Sequence, residues 1–325
     1  MLRPTQSAIV FTQLLGRGLR KSKGKDFVVI IDFIANYQRN YMIPIALSGD
    51  NSYDKDNLRR FTAEGSKLIA GTSTVNFDAI SKDRIYRTID SAKLSDRSLI
   101  YNEYDTLKYK LGHIPSLLDF DIYNAIDPLK IIKVFGSYYA FLRLHERSNY
   151  HIVLSKAEED IISYVSQKIA TGKRISELLM LKAAIDDHSP NLALSCKESA
   201  KKEYNITLDD NTLASTIGFL TNAFSKINDK EKYSNCIFLE KSTDGYQASK
   251  NFKAMLDRNK DFKLMLEELI KLGVQRYNAH YRERYESTNF TLYEKYSYED
   301  VCHLLNWKQN QIAQGISGYF YDRDT

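Results

Sequence analysis

Gln13-Leu-Leu-Gly16-Arg17-Gly18-Leu-Arg20, followed by Asp26-Phe-Val-Val-Ile-Ile-Asp32, decides how the chain is read. Thr5 or Ser7 can cap a helix that carries on to about Leu19. At about 100° per residue, Gln13, Arg17 and Arg20 share one narrow stripe, and Ala8, Phe11, Leu15 and Leu19 fall opposite. One face packs; the other offers an amide and two guanidiniums. Gly16 and Gly18 clear side chains from beside that stripe, where a backbone or a phosphate can approach. Two cations three residues apart repel unless an anion lies between them, and a triphosphate meets arginine's planar fork well. The run from Phe27 to Ile31 is apolar throughout and mostly β-branched. Such a run predicts a strand buried on both faces of a parallel sheet. A single strand cannot make a sheet, so this helix–strand unit reads as cut from something larger.

Working outward, the chain has 325 residues, 43% hydrophobic and 27% charged, which fits a soluble globular protein of two or three domains. Its net charge of +5 is local, because the first 25 residues hold Arg3, Arg17, Arg20, Lys21, Lys23 and Lys25 and no acid. A secretory leader is excluded, since Ala8-Ile9-Val10-Phe11 is broken by Thr12-Gln13. Cys196, Cys236 and Cys302 are too scattered for a disulfide scaffold or a paired-cysteine zinc site, and they suit a reducing cytoplasm. No apolar run approaches the ~18 residues of a membrane helix, so no membrane partner is expected. The 23 tyrosines fit either stacking on bases or AT-rich coding with half-buried packing.

Gln13 to Arg20 resembles the QxxGRxxR signature, the sixth conserved motif of superfamily-two DNA/RNA helicases. The wider pattern is similar to a bacterial branch in which a DEAD/DEAH-type core precedes a long, uncharacterised C-terminal region. It runs through Asp32-Phe-Ile-Ala-Asn-Tyr37, Ile43-Pro-Ile-Ala-Leu47, Lys110-Leu-Gly-His-Ile-Pro115 and Leu118-Asp-Phe120. It continues at Tyr298-Glu-Asp-Val-Cys-His-Leu-Leu-Asn-Trp307 and Ile316-Ser-Gly-Tyr-Phe-Tyr321. The resemblance implies that Arg17 and Arg20 are arginine fingers acting on the γ-phosphate, with Gln13 and Gly16 coupling ATP to the neighbouring domain. Such a finger is worth roughly 10³–10⁵ in rate.

The remaining motor parts are missing. Gly24-Lys25 and Gly172-Lys173 are followed by Asp26 and Arg174 rather than Ser or Thr, and no Asp-Glu dipeptide of an acidic box occurs. The chain therefore reads as a fragment that should not hydrolyse ATP alone. ATP and Mg²⁺ are expected only in the intact enzyme, with none bound by this chain. The expected partners are the missing N-terminal helicase domains and nucleic acid, DNA in preference.

Downstream, helices are predicted over 53–64, 79–92, 96–111, 128–134 and 137–147, with a stop at Gly112 and a turn through Ile114-Pro115 into Ser116–Tyr123. This segment resembles a helix-turn-helix. Its second half, however, carries Asp119, Asp121 and Asp127 with no base, a poor groove reader. Ser155-Lys-Ala-Glu158 is a capping box opening a helix to about Gly172, and helices follow at 174–186, 191–203 and 208–226. Glu158-Glu159-Asp160, Asp186-Asp187 and Asp209-Asp210 read as solvated first-turn acids, and no metal site is expected. A strand over 234–240 leads to a turn at Thr243-Asp244-Gly245, then a long helix over 261–286. Its second half sets Tyr277, Tyr281 and Tyr285 among Arg276, His280, Arg282 and Arg284. Aromatics between arginines suit a single strand, which makes Arg276, Tyr277, Tyr281 and Arg282 nucleic-acid candidates; the competing reading is tyrosines extending the core. Cys302 and His303 are adjacent but have no partner at a catalytic spacing.

The expected class is α+β and predominantly α-helical: the end of a second RecA-like domain in 1–50, helical regions in 51–150 and 151–232, and a truncated α+β region in 233–325. The expected function is the C-terminal part of an ATP-dependent helicase. The alternative is a stand-alone helical DNA-binding or protein-interaction module. The helicase reading predicts an exposed sheet edge around Val28–Ile31; the module predicts a self-contained fold for 1–50.

Overall fold

A computed structural model describes residues 11, 16–17, 29–31, 40–64, 74–92, 97–186, 191–223, 227–284, 288–292 and 294–306. These are predominantly helical with one small two-stranded sheet, as the α+β reading expects. Two compact units follow one another, Met1–Val134 and Phe135–Thr325. No described helix is long and apolar enough to cross a membrane.

In the first unit, helices α1 (Met42–Ser48), α2 (Lys55–Glu64), α3 (Ala79–Ser91), α4 (Arg97–Leu111) and α5 (Leu117–Ile122) lead to α6 (Pro128–Phe135). Leu58, Phe61, Ile85, Ile89, Ile100 and Tyr104 form its core. Gly112 ends α4 at φ +74°, and Ser116 opens α5 by exchanging hydrogen bonds with Asp119. Asp119 is thereby occupied in a cap, and Leu117 and Phe120 are buried. Lys130 reaches back to the Ser52 and Tyr53 carbonyls at 3.0 and 3.2 Å. Burial, partly offset by Asp54, pushes its amine down to about 8.

The expected buried strand does not appear where residues can be described. Val29, Ile30 and Ile31 lie outside any strand and are 74%, 39% and 70% exposed. The only sheet among the described residues is a hairpin in the other unit. A strand needs a neighbour to take its N–H and C=O groups, and Val29–Ile31 form no ladder with another described residue. The rest of that strand lies outside the described residues.

In the second unit, α7 (Tyr138–His145) precedes α8 (Lys156–Tyr164), which continues as a π-helical turn at Val165–Ile169. Both arms of the Ser155–Glu158 capping box are present. Glu158 is nevertheless buried, with Arg258 at 3.1 Å, so it is not the solvated acid expected. Helices α9 (Ile175–Asp186), α10 (Leu192–Tyr204), α11 (Asp210–Leu220) and α12 (Ile227–Lys232) follow. The central element is α9, in which Ile175–Leu181, Ala184 and Ile185 are buried while Lys182 and Asp186 face solvent.

Strands β1 (Leu239–Ser242) and β2 (Gly245–Ala248) pair antiparallel across the Thr243-Asp244 turn, with Leu239 opposite Ala248. The strand thus starts later than expected, because Phe238 N–H bonds to the Leu220 carbonyl rather than to a ladder. Ser249 caps a separate helix, α13 (Lys250–Arg258). The long helix then starts where expected, as α14 (Lys260–Arg276) capped by Asn259, and passes into a second π turn at Tyr277–Tyr281. A last helix, α15 (Tyr298–Leu304), opens with a Ser297–Asp300 capping box.

Glycine permits one close approach between these parts. Gly172 has φ +75°, and a Cβ there would lie 2.5 Å from the Gly273 carbonyl oxygen and 2.9 Å from Tyr277 N. The turn after the first π segment therefore rests directly on the backbone of α14. A π turn recurs often at functional sites, and here both border one region.

Candidate functional site

The N-terminal motif is only partly described. Phe11 is buried, whereas Gly16 and Arg17 are helical and exposed. A Cβ on Gly16 would meet nothing within 4 Å. A packing face and an open face thus coexist at these three positions. Gln13 and Arg20 lie outside the described residues.

At the end of α14 the four nucleic-acid candidates separate into two groups. Tyr277 is 0% exposed and Tyr281 7%, so neither ring face is offered to a base. Tyr277 meets Tyr204 edge-on at 5.6 Å, and Tyr281 meets Tyr296 at 6.1 Å. Burial pushes both phenols up. The stacking expectation is corrected for these two: the i, i+4 tyrosine stripe extends the core through the π turn. Arg276 is half-buried and Arg282 is exposed, its guanidinium 6.0 Å from the Tyr204 ring centre.

A different cluster holds the densest polar geometry in this unit. Arg174, 7% exposed, and Glu177, 3%, stand one turn apart at the start of α9. Arg174 Nε and Nη2 both reach Glu177 Oε1. Arg174 Nη1 donates to the His303 carbonyl at 2.9 Å and to Asn306 Oδ1 at 3.2 Å. Its two terminal nitrogens lie 3.3 and 3.2 Å from Ser215 Oγ. His303 Nε2 lies 3.0 Å from Glu177 Oε1, and the ring stacks on Phe219 at 4.3 Å. Burial pushes the Glu177 carboxyl up, but the Arg174 guanidinium and the His303 ring outweigh it and hold it at about 2.

More ion pairs surround this cluster. Lys168 in the first π turn pairs with Glu299 at 2.6 Å, and Lys173 pairs with Asp300. His280 in the second π turn lies 3.2 Å from Glu294. Asn306 Nδ2 donates to Thr212 Oγ1 at 3.2 Å. The segment from Glu294 to Asn306 is therefore seated along both π turns and the start of α9.

Residues 100–280, more than half of the chain, match the family described as Domain of unknown function (DUF8090). The chain belongs to the DUF8090 family. Residues 290–325 match a second description, Domain of unknown function (DUF3427), a domain found in helicase-associated C-terminal regions. No curated protein matches the chain. Arg174 and Glu177 belong to the DUF8090 span and His303 to the DUF3427 span, so the buried cluster is the joint between them.

Residue order alone gives His303 no partner at a catalytic spacing; the fold supplies Arg174, just before α9, and Glu177 on it. One signal was available. Arg174 and Glu177 are charges at helical spacing directly before the apolar run Leu178–Leu181, and charges buried with such a run need a partner. His303 is engaged here, and Cys302 is buried, which leaves a thiol–imidazole site no support. Burial pushes the Cys196 thiol up to about 12, the wrong direction for a nucleophile. Among the described residues no three His, Cys, Asp or Glu side chains converge as a metal site.

Proposed function

We propose that this chain is the C-terminal part of an ATP-dependent superfamily-two helicase, joining the motor's arginine-finger motif to a helical region that guides nucleic acid, DNA in preference. The observation that carries the reading is the exposed Arg17 beside open space at Gly16, with Phe11 buried on the other face. That arrangement suits a guanidinium reaching a phosphate held by another domain. The DUF3427 match at the opposite end adds support, because that domain occurs in helicase-associated regions.

ATP and Mg²⁺ are assigned to the missing motor domains. The second Gly-Lys pair is no phosphate cradle, since Gly172 packs on the backbone of α14 and Lys173 pairs with Asp300. The test joins this chain in frame to the coding sequence upstream of it. DNA-stimulated ATP hydrolysis is expected from the longer protein, with Arg17→Ala lowering kcat by roughly 10³-fold or more. An upstream region without a P-loop, or an unchanged rate in Arg17→Ala, overturns the proposal.

A further inference from the structure

We infer that a cleft between α9 and the α14–π segment binds the phosphate backbone of a single-stranded nucleic acid. The inference rests on the reading above that this region guides nucleic acid, and it assigns the strand a position. The cleft has a volume of about 660 Å³ and carries Lys182 on one wall. Lys271, Gln275 and Asn278 stand on the other, above the apolar Ile270 and Val274.

Charge complementarity selects the occupant. Lys182 and Lys271 are exposed, and neither makes an ion pair or hydrogen bond with a described residue. Among the described residues no acid lines the cleft, although Asp186 and Glu267 stand one helical turn away on α9 and α14. Two free cations facing a shared cleft repel each other and gain from an anion between them. The Asn278 amide stands beside them, and the apolar floor suits sugar and base surface.

The track has a direction. Lys271 and Gln275 stand at i, i+4 on α14, Asn278 on the π turn lines the same cleft, and Arg282 follows just beyond, all exposed where Tyr277 and Tyr281 are buried. Arg282, at the helix end, lies over the Tyr204 ring. Glu203, beside Tyr204, is an acid at that end. A row of several polar groups fits successive phosphates of an extended strand better than one free phosphate.

The test titrates the full 325-residue chain, without ATP, against fluorescein-labelled dT20, U20 and a 20-base-pair duplex at several salt concentrations. Lys182→Gln with Lys271→Gln should weaken single-strand binding roughly tenfold and reduce the salt slope by about 1.4, two phosphates' worth. The melting temperature should not fall. Weakening of dT20, of U20 or of both supports the cleft and names the strand it takes. Unchanged binding in the double variant overturns it, as does a preference for the duplex. Arg282→Ala weakening binding while the lysine variants do not also overturns it, because the contact would then sit at the helix end. If no strand binds at all, the guiding role fails too. Loss of ATPase support for Arg17 alone leaves this measurement standing.

Discussion

Helix α9 carries two arrays of charge that behave in opposite ways. At its start, Arg174 and Glu177 are buried and meet His303, Ser215 and Asn306. Two turns later Lys182 faces solvent, across a cleft from Lys271, with no described partner. The first array closes on itself, so its charges are spent on joining the DUF8090 helices to the DUF3427 segment. The second is left open, so its charges remain available to a ligand. Charge count alone does not separate the two; burial and partner do.

The sharpest way to break this contrast is to remove one buried partner. Glu177→Ala leaves the Arg174 guanidinium buried without its carboxylate, which should cost about 3–5 kcal/mol in the unfolding of the second unit. Urea denaturation followed by far-UV dichroism reads this directly. Arg174→Met with Glu177→Leu should recover most of that loss, because neither charge then remains buried alone. A loss under about 1 kcal/mol in Glu177→Ala would mean the cluster is wetter than its geometry.

Gly172→Ala comes next. The substitution puts a Cβ at φ +75° and 2.5 Å from a backbone oxygen that cannot rotate away. Left-handed strain and overpacking together should cost about 2–4 kcal/mol. Gly112→Ala shares the positive φ but has open space around it, so only the strain, about 1–2 kcal/mol, should appear there.

These sites also show what could be read from the residues and what could not. Ser155-Lys-Ala-Glu158, Gly112 and the Thr243–Gly245 turn act within a few residues of themselves, and each took its predicted form. Local chemistry is legible because the partner is close in the chain. The Arg174–Glu177–His303 cluster was not legible, since one helix supplies two members and a distant segment the third. Tyr277 and Tyr281 failed for another reason. An aromatic stripe has the same spacing whether it faces a core or a ligand, and the arginines beside it leave both readings open. Only the burial of both rings distinguishes the two. The RecA-like strand differs again, because its neighbours would have to come from outside the described hairpin.

Acid should weaken the closed array. Glu177 holds its charge in the folded chain down to about 2, whereas its ordinary value is 4.5. Between those values the unfolded chain binds the extra proton, so stability falls as pH falls. Above 4.5 the contribution is fully present. The urea midpoint of the second unit should therefore drop from pH 5 to pH 3. In Arg174→Met with Glu177→Leu that drop should be visibly smaller. An equal drop would assign the acid sensitivity to other carboxylates, such as Glu158 beside Arg258.

The smallest expected effect tests the open array. Lys182→Gln removes a charge that no described residue uses, so folding stability should shift by less than about 0.5 kcal/mol. A slight gain is the informative outcome, because Lys182 and Lys271 share one cleft without an acid on its walls. That gain should shrink as salt is raised and the repulsion is screened. It should also vanish in a Lys271→Gln background, where nothing remains to be repelled. A destabilisation above 1 kcal/mol would instead mean that Lys182 has a structural partner, and α9 would then hold two closed arrays rather than one closed and one open.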